Sequence, residues 1–234
     1  MIPVWEDPRV REGLSSQLQE RERRLAAGER AIGWKIAFGA PSAQASLELG
    51  GSITGFLTDR TLLESGANCA IGAWVKPALE AELAIHLGAD VPADADRRAA
   101  QAAIRGLGAA IELVDFYAPP TDLAAVIAAD IFHRAVLLGD VDDTRRGADA
   151  SGVAVRALRG EQEVGREQDP VGVVGDLLDT TIHVARLLDA FGVGLKAGEV
   201  IIAGSAIPVV ALAPGERIRC EFGPLGVLEV ELTA

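Results

Sequence analysis

The stretch at residues 79–87, LEAELAIHL, places ionisable side chains at alternate positions of an apolar run. Side chains at positions i and i+2 of a β-strand lie on the same face, so Glu80 and Glu82 are expected side by side, with His86 further along. Two carboxylates in a partly buried place repel each other, and a buried ion without a partner is costly. The pattern therefore indicates either a solvent-exposed face or a positive group between the two carboxylates.

A third carboxylate in a second apolar run favours the positive group. In AAIELVDF, which begins at Ala109, Glu112 lies among apolar residues, where an unpaired glutamate is rarely buried. Three carboxylates on two strands form an all-oxygen site, which suits a hard divalent cation such as Mg²⁺ or Mn²⁺. Glu80, Glu82 and Glu112 are therefore the candidate metal ligands.

Lys35 is the candidate cationic side chain of the site. It lies in GWKIAFG, a run that predicts a buried strand. A buried lysine can exchange a proton or pair with an anionic substrate. The alternative is a lysine that extends from a strand edge into solvent.

Composition limits the class of protein. The 234 residues carry a net charge of −12, and 49% of them are hydrophobic, which indicates a globular chain with a substantial core. An acidic chain is not expected to bind nucleic acid or an anionic membrane, because both require a basic surface. Cys69 and Cys220 form no zinc pattern and are expected to act as small apolar residues. The N-terminal stretch does not resemble a signal peptide, and no apolar run is long enough to span a bilayer, so we expect a cytoplasmic protein.

Hydrophobic periodicity predicts an α+β fold in one main domain. Helices are expected over residues 11–28, 94–107, 121–133 and 174–191. Besides the run at 79–87, strands are expected in AIGWKIAFG, ITGFLTD, AAIELVDFY, VAVRAL, EVIIAGS, ERIRCEF and GVLEVEL. Strands cluster before and after a helical middle, whereas a doubly wound fold would alternate them more regularly. The glycines at 192–198 follow a helix instead of a strand, which argues against a dinucleotide-binding loop.

The order of short motifs resembles that of the 2-keto-4-pentenoate hydratase group of the fumarylacetoacetate hydrolase superfamily. The motifs are GWKIAFG, GFLTD, P-x-x-E-x-E, AIELVD, IAAD and GLKAGEVIIAGS. The resemblance implies a mixed β-sandwich or β-roll with outer helices, similar to the C-terminal domain of fumarylacetoacetate hydrolase. It also implies an N-terminal helical arm over residues 1–30, a catalytic domain over residues 31–234, and a homo-oligomer.

The resemblance also assigns roles to individual residues. Glu80, Glu82 and Glu112 fall on the family's carboxylate ligands to Mg²⁺ or Mn²⁺. Lys35 falls on the family's active-site lysine, and Asp59, in GFLTD, falls where members carry an acidic residue near the pocket.

A glycine-containing turn is the implied binding site for the substrate carboxylate. Gly204 and Ser205, in AGS, fall on the family's T-G-S/T turn. Ala203 stands at its first position, so one hydroxyl group is absent.

One segment departs from the family pattern. Hydratases of the group usually read A-D-N-A-S after the middle helix, whereas this chain reads ADIFH at residues 129–133. His133 therefore stands where the family serine faces the pocket, and it is a candidate catalytic residue; a helix-end residue without a role is the alternative. Arg134, next to it, is a candidate for binding a second carboxylate.

The function that the resemblance implies is a metal-dependent lyase acting on a small 2-oxo acid. A hydratase would add water to a 2-hydroxy-2,4-dienoate or 2-oxo-enoate, as in aromatic catabolism. The alternatives are a 4-oxalocrotonate-type decarboxylase, a C–C bond hydrolase and an inactive metal-binding relative. The hydrolase is disfavoured because residues 41–51, where a lid is expected, contain Glu48 but no histidine to pair with it.

Overall fold

The computed structural model describes residues 2–119 and 121–234 and confirms the predicted α+β class. The helices are α1 (Pro8–Ala26), α2 (Pro41–Leu47), α3 (Arg97–Ala103), α4 (Leu123–Ala128), α5 (Pro170–Val174) and α6 (Leu177–Asp189). The first strands are β1 (Ala31–Ala37), β2 (Ile53–Thr58), β3 (Leu62–Leu63), β4 (Ala67–Ala70), β5 (Pro77–Leu87), β6 (Ile104–Asp115) and β7 (His133–Leu138). The later strands are β8 (Val155–Arg159), β9 (Gln162–Glu167), β10 (Val200–Ser205), β11 (Val210–Ala211), β12 (Arg217–Glu221) and β13 (Val227–Thr233).

The strands of the described residues form two mixed sheets. The larger sheet has the order β2-β1-β10-β5-β6-β7-β3, with β11 paired to β5. The smaller sheet has the order β4-β13-β12-β8-β9. One hydrophobic cluster contains buried residues of both sheets, such as Ile111 of β6 and Ile218 of β12, so the two sheets share a core.

Strand register brings the predicted site residues onto one face of the larger sheet. Glu80 of β5 is paired directly with Glu112 of β6, and Glu82 is paired with Ser205 of β10. Lys35 of β1 is paired with Gly55 of the neighbouring strand β2. Since directly paired residues project to the same face, the sheet itself assembles these polar groups.

The two faces of the larger sheet are packed differently. Along β5, Leu79, Ala81, Leu83 and Ile85 point into the main core. The opposite face, which carries the glutamates, has a smaller apolar cluster around Ala84. Burial on both sides explains why these strands read as nearly continuous apolar runs.

Helix α1 is packed into the core rather than detached from it. Its N-cap Asp7 accepts a hydrogen bond from the backbone N–H of Arg9, and Pro8 occupies the first turn, where its missing N–H costs nothing. Gln17, which is buried, donates to the backbone oxygen of Ile127 at the end of α4 (2.8 Å). Gly13 lies so close to α4 that a Cβ atom there would be 2.6 Å from the backbone oxygen of Ala124.

A buried ion pair ties α1 to the strand that carries Lys35. The carboxylate of Glu199 accepts hydrogen bonds from Trp34 Nε1 (3.1 Å) and from the backbone N–H of Lys196 (2.8 Å). Arg21 of α1 lies 3.6 Å from the same carboxylate and stacks on the Trp34 ring at 4.7 Å from its centroid. Trp34, the residue before Lys35, is therefore held by Glu199 and by Arg21.

Two predicted helices are shorter than expected. The helix predicted over 94–107 ends at Ala103, and β6 begins at Ile104, because the glycines at 106 and 108 oppose helix and lie in close strand contacts. The helix predicted over 121–133 starts after Asp122, whose side chain accepts a hydrogen bond from the backbone N–H of Ala125, but it ends at Ala128. His133 is therefore not a helix-end residue but the first residue of β7. No helix in the two described ranges is long and apolar enough to cross a bilayer.

The contact between α1 and α4 predicts a stability difference between two valine variants of the same helix. Gly13→Val has no room against α4 and is expected to lower the free energy of unfolding by about 1–3 kcal/mol, the usual cost of overpacking. Ser15→Val introduces the same side chain at an exposed position and serves as the control. Urea unfolding measures both variants, and equal stabilities would show that α1 does not pack on α4 as described.

Candidate metal centre and active site

Three carboxylates come together on β5 and β6. Glu80, Glu82 and Glu112 each offer an oxygen atom, and these atoms lie within 4.8 Å of one another. Glu82 and Glu112 are fully buried, and Glu80 is half-buried. The predicted ligand set therefore forms one cluster.

Glu112 uses one oxygen for protein contacts and leaves the other without a partner. Its Oε1 lies 2.7 Å from Lys35 Nζ and 2.7 Å from His133 Nδ1. Its Oε2 is buried and has no hydrogen-bond partner within the described parts of the chain. A buried carboxylate oxygen without a partner is costly, so this oxygen is suited to bind a positively charged group.

The two carboxylate oxygens of Glu82 likewise differ in their contacts. Its Oε2 accepts a hydrogen bond from the backbone N–H of Gly204 (2.6 Å), and its Oε1 is buried without a partner among the described residues. Glu80, next along the strand, borders an open cavity. Two orphaned carboxylate oxygens beside a third carboxylate are the donor set that Mg²⁺ or Mn²⁺ prefers, so the residues present fit a hard divalent cation.

The pKa values of the three carboxylates are shifted in different directions, upward for Glu80 and Glu82 and downward for Glu112. Burial and the charge of Glu112 raise the pKa of Glu80 to about 7, and burial with both neighbouring carboxylates raises the pKa of Glu82 well above its usual value. Burial also acts to raise the pKa of Glu112, but the attraction of Lys35 and His133 outweighs it, and the net shift is downward. Glu112 is therefore the carboxylate that stays ionised most easily.

Lys35 is held by two acceptors at the end of a fully buried side chain. Its Nζ donates to Glu112 Oε1 and to the backbone oxygen of Ile131, each at 2.7 Å. Burial lowers the pKa of Lys35, but the negative charges of Glu112, Asp130 and Glu80 outweigh burial and raise it overall. Lys35 is consequently an ammonium ion at neutral pH.

An unusual backbone turn supplies the second acceptor of Lys35. Asp130, Ile131 and Phe132 have φ angles of 60°, 47° and 67°, in the left-handed region that non-glycine residues rarely adopt. Such residues cost on the order of 1–3 kcal/mol each and tend to cluster at functional sites. The Asp130 carboxylate supports the turn by accepting from the backbone N–H of Phe56 (2.9 Å), and burial raises the pKa of this group to about 6.

Gly55 makes room for this arrangement. A Cβ atom at Gly55 would lie 2.6 Å from Asp130 Oδ1 and 2.9 Å from Lys35 Cε. Sequence analysis identified neither Gly55 nor Asp130 as site residues. The only signal was that both residues belong to the family-like motifs GFLTD and IAAD. The structure shows that both residues pack around Lys35.

His133 connects Glu112 to a second polar residue. Its Nε2 lies 3.0 Å from Thr61 Oγ1, and the Thr61 hydroxyl donates to the backbone oxygen of Thr58 (3.1 Å). The histidine is buried between these partners, with both ring nitrogens engaged. Such a histidine orients Glu112, and neither of its nitrogens is free to serve as a base for water.

A cavity of about 330 Å³ opens beside the cluster. Its polar boundary includes Lys35, Glu80, Gly204 and Ser205. Two of the donors expected to bind a substrate carboxylate are already engaged, because Gly204 N–H donates to Glu82 and Ser205 Oγ donates to the backbone oxygen of Ile207 (2.8 Å). The volume is within the range of small-molecule sites.

Asp59 and Arg134, two further predicted site residues, are absent from the described lining of this cavity. Asp59 accepts hydrogen bonds from the backbone N–H of Arg30 (2.9 Å) and from its Nε (2.8 Å) near the surface. The guanidinium group of Arg134 lies 3.3 Å from Asp115 and 5.4 Å from the centroid of the Tyr117 ring. These contacts give no support to the predicted roles of Asp59 in catalysis or of Arg134 in substrate binding.

The fold is that of an enzyme family. A model of the fumarylacetoacetate (FAA) hydrolase C-terminal family matches residues 43–233, and the chain belongs to this family. The family resemblance found in the sequence motifs is therefore confirmed.

Two relatives and one solved structure are similar to this chain over most of its length. A 4-oxalocrotonate decarboxylase from a Pseudomonas species is 27% identical over 226 residues, covering 96% of this chain and 87% of the relative. A 2-hydroxyhexa-2,4-dienoate hydratase from Comamonas testosteroni is 28% identical over 215 residues, covering 90% and 81%. The structure of 4-oxalocrotonate decarboxylase from Pseudomonas putida G7, complexed with magnesium and adipate, has a TM-score of 0.82 at 22% identity, covering 92% of this chain and 83% of that one. The names of these proteins denote lyases, and the solved one contains a divalent metal.

The orphaned oxygen of Glu82 predicts that this residue is required for cation binding. Glu82→Gln keeps the shape of the side chain but removes its charge, so Mg²⁺ affinity is expected to fall by more than about 100-fold, beyond the loss usual for residues that only support a ligand. Titration calorimetry with Mg²⁺ measures the change. Glu161→Gln, at an exposed turn, is the control, and a Glu82→Gln protein that still binds tightly would refute the three-carboxylate site.

The raised pKa values predict that cation binding releases protons. Burial and the neighbouring carboxylates raise the pKa of Glu80 to about 7 and raise that of Glu82, and a cation must displace the protons these groups hold, so affinity is expected to rise as pH increases through about 7. Calorimetry in two buffers with different ionisation enthalpies gives the number of protons released. An affinity that does not change from about pH 6 to pH 8 would contradict the assignment.

Proposed function

We propose that this chain is a metal-dependent hydratase that adds water to a 2-hydroxy-2,4-dienoate or its 2-oxo-enoate tautomer. The observation that carries the proposal is the pair of orphaned, buried oxygens on Glu82 and Glu112, beside an ammonium group at the end of a cavity. The family and the hydratase and decarboxylase relatives support the same class of chemistry.

Glu80, Glu82 and Glu112 would hold Mg²⁺ or Mn²⁺, which supplies a Lewis acid for the oxygens of a bound 2-oxo acid. Glu82 contributes in two ways, because the oxygen that faces away from the ligand position fixes the turn at Gly204. Lys35 and His133 orient Glu112 through its other oxygen. All three carboxylates are thus directed by neighbouring groups or by strand register.

Lys35 is the proton-carrying group of the cavity. Its Nζ is paired with the Glu112 carboxylate, so Lys35 is suited to stabilise negative charge on a substrate or to donate a proton. The backbone oxygen of Ile131 fixes the direction of the ammonium group. In a hydratase this proton is available when the dienol is converted to the conjugated enone that water attacks.

Decarboxylation of a 2-oxo diacid is the second candidate function. It is favoured by the similarity to 4-oxalocrotonate decarboxylase in both sequence and structure. The same carboxylates and Lys35 would serve, since both reactions stabilise an enolate. Hydrolysis is less supported, because the buried His133 is engaged by Glu112 and Thr61. A homo-oligomer and a cytoplasmic location stay predictions.

A spectrophotometric assay tests the proposal. With Mg²⁺ or Mn²⁺ added, the protein is expected to remove the ultraviolet absorbance of 2-hydroxypenta-2,4-dienoate without release of CO₂. Lys35→Met is expected to lower kcat by about 10²–10⁴-fold, the usual contribution of an acid–base group. Lys196→Met, which removes an exposed lysine paired with Asp90, is the control.

Three other results would change the conclusion. Release of CO₂ from 2-oxohex-3-enedioate without hydration of the dienoate would favour the decarboxylase. Full activity of Lys35→Met would remove this residue from the mechanism. Inactivity on every 2-oxo acid, together with tight Mg²⁺ binding, would indicate a metal-binding protein without this activity.

A further inference from the structure

The cavity is polar at one end and apolar over the rest of its wall. Charged and hydroxyl groups are contributed by Lys35, Glu80 and Ser205. Other described side chains of the lining are apolar, and they include Ile36, Phe38, Phe116, Ile131, Phe132 and Val174. The apolar part of the wall therefore faces whatever extends away from the metal ligands.

The apolar wall continues to the mouth of the cavity. Val173 of α5 and Val209, just before β11, both line it, and they are 49% and 44% exposed. The apolar wall therefore extends from the buried end of the cavity to solvent. The volume of about 330 Å³ is at the lower end of the range for small-molecule sites.

No described residue of the lining offers a free cation for a second carboxylate. Lys35 is the one cation among them, and its ammonium group is committed to Glu112 and Ile131 at the polar end. Arg134, the nearest sequence candidate, is turned to Asp115 and Tyr117. Asp115 is itself fixed by the backbone N–H groups of Val75 and Lys76, at 3.0 and 2.8 Å. A second carboxylate that lies against the apolar wall, short of the mouth, would lose hydration without gaining a cationic side chain as partner.

We infer that the substrate carries an uncharged, apolar substituent at the end distant from its carboxylate, extending past Phe132 toward Val173 and Val209. The inference rests on the proposed function and makes it more specific: long-chain monoacids are preferred over diacids. Monoacids are preferred over diacids for two reasons. Burial of the alkyl or aryl group favours binding, and removing a second carboxylate from water disfavours it because no cation compensates.

Binding of saturated 2-oxo acids tests the inference without turnover. The Mg²⁺-loaded protein is titrated with 2-oxopentanoate, 2-oxohexanoate, 2-oxooctanoate and 2-oxoadipate. Each added methylene is expected to tighten binding about fourfold, and 2-oxoadipate is expected to bind at least roughly tenfold more weakly than 2-oxohexanoate. Binding of 2-oxoadipate that equals or exceeds that of 2-oxohexanoate overturns the inference while leaving the lyase proposal in place. Failure of all four acids to bind overturns both.

A rim substitution tests where the distant end lies. Val173→Arg places a cation at the mouth, at a position exposed enough to tolerate it, and is expected to tighten 2-oxoadipate binding about tenfold while weakening 2-oxooctanoate. Val227→Arg, an exposed valine on β13, is the control and is expected to change neither. Unchanged binding by Val173→Arg would show that the substituent does not reach the rim.

Arg134 provides the opposing test. Arg134→Gln is expected to leave the affinity for 2-oxoadipate unchanged, because the guanidinium group lies outside the described lining. A selective loss of 2-oxoadipate affinity in this variant would show that Arg134 receives a second carboxylate, and it would overturn the inference.

Discussion

The site depends on one carboxylate oxygen that is shared by two nitrogen donors. Glu112 Oε1 lies 2.7 Å from both Lys35 Nζ and His133 Nδ1, and all three side chains are buried. This shared contact lowers the pKa of Glu112 against the effect of burial and directs the second oxygen of Glu112 toward Glu80 and Glu82. Without it, three carboxylates on adjacent strands would repel each other with no internal compensation.

The backbone around the site is shaped to support that contact. Gly55 leaves space for Lys35, and the left-handed turn at 130–132 aims a carbonyl oxygen at the ammonium group. This turn also begins β7 at His133, so one strained segment positions both partners of Glu112. Hydrogen bonds at Asp130 and packing of Phe132 against Phe116 and Tyr117 offset the cost of the strain.

The sequence predicted what depends on periodicity and little of what depends on tertiary contacts. Alternation along residues 79–87 placed Glu80 and Glu82 on one face, and an apolar run placed Glu112 opposite, which strand register confirms. No local pattern could reveal that Lys35 pairs with Glu112. The two residues lie on β1 and β6, and the strands β10 and β5 lie between them in the sheet. The helical pattern of residues 121–133 predicted that His133 ends a helix. The sequence could not indicate the left-handed turn at 130–132, because non-glycine residues seldom form it. Asp59 directly follows the buried strand β2, but this position in the sequence does not bring its side chain into the described lining of the cavity.

Charge balance connects the metal ligands to the shape of the cavity. The three candidate ligands and the buried Asp130 carboxylate outnumber the one Lys35 ammonium group, so the site has an excess of negative charge that a divalent cation would offset. A bound 2-oxo acid then adds one negative charge at the polar end, where the cation and Lys35 attract it. Any further negative charge would lie against Phe116, Phe132 and Val174, in surroundings that cannot solvate it. The same balance that makes the carboxylate cluster suitable for a divalent cation therefore favours a substrate with only one carboxylate.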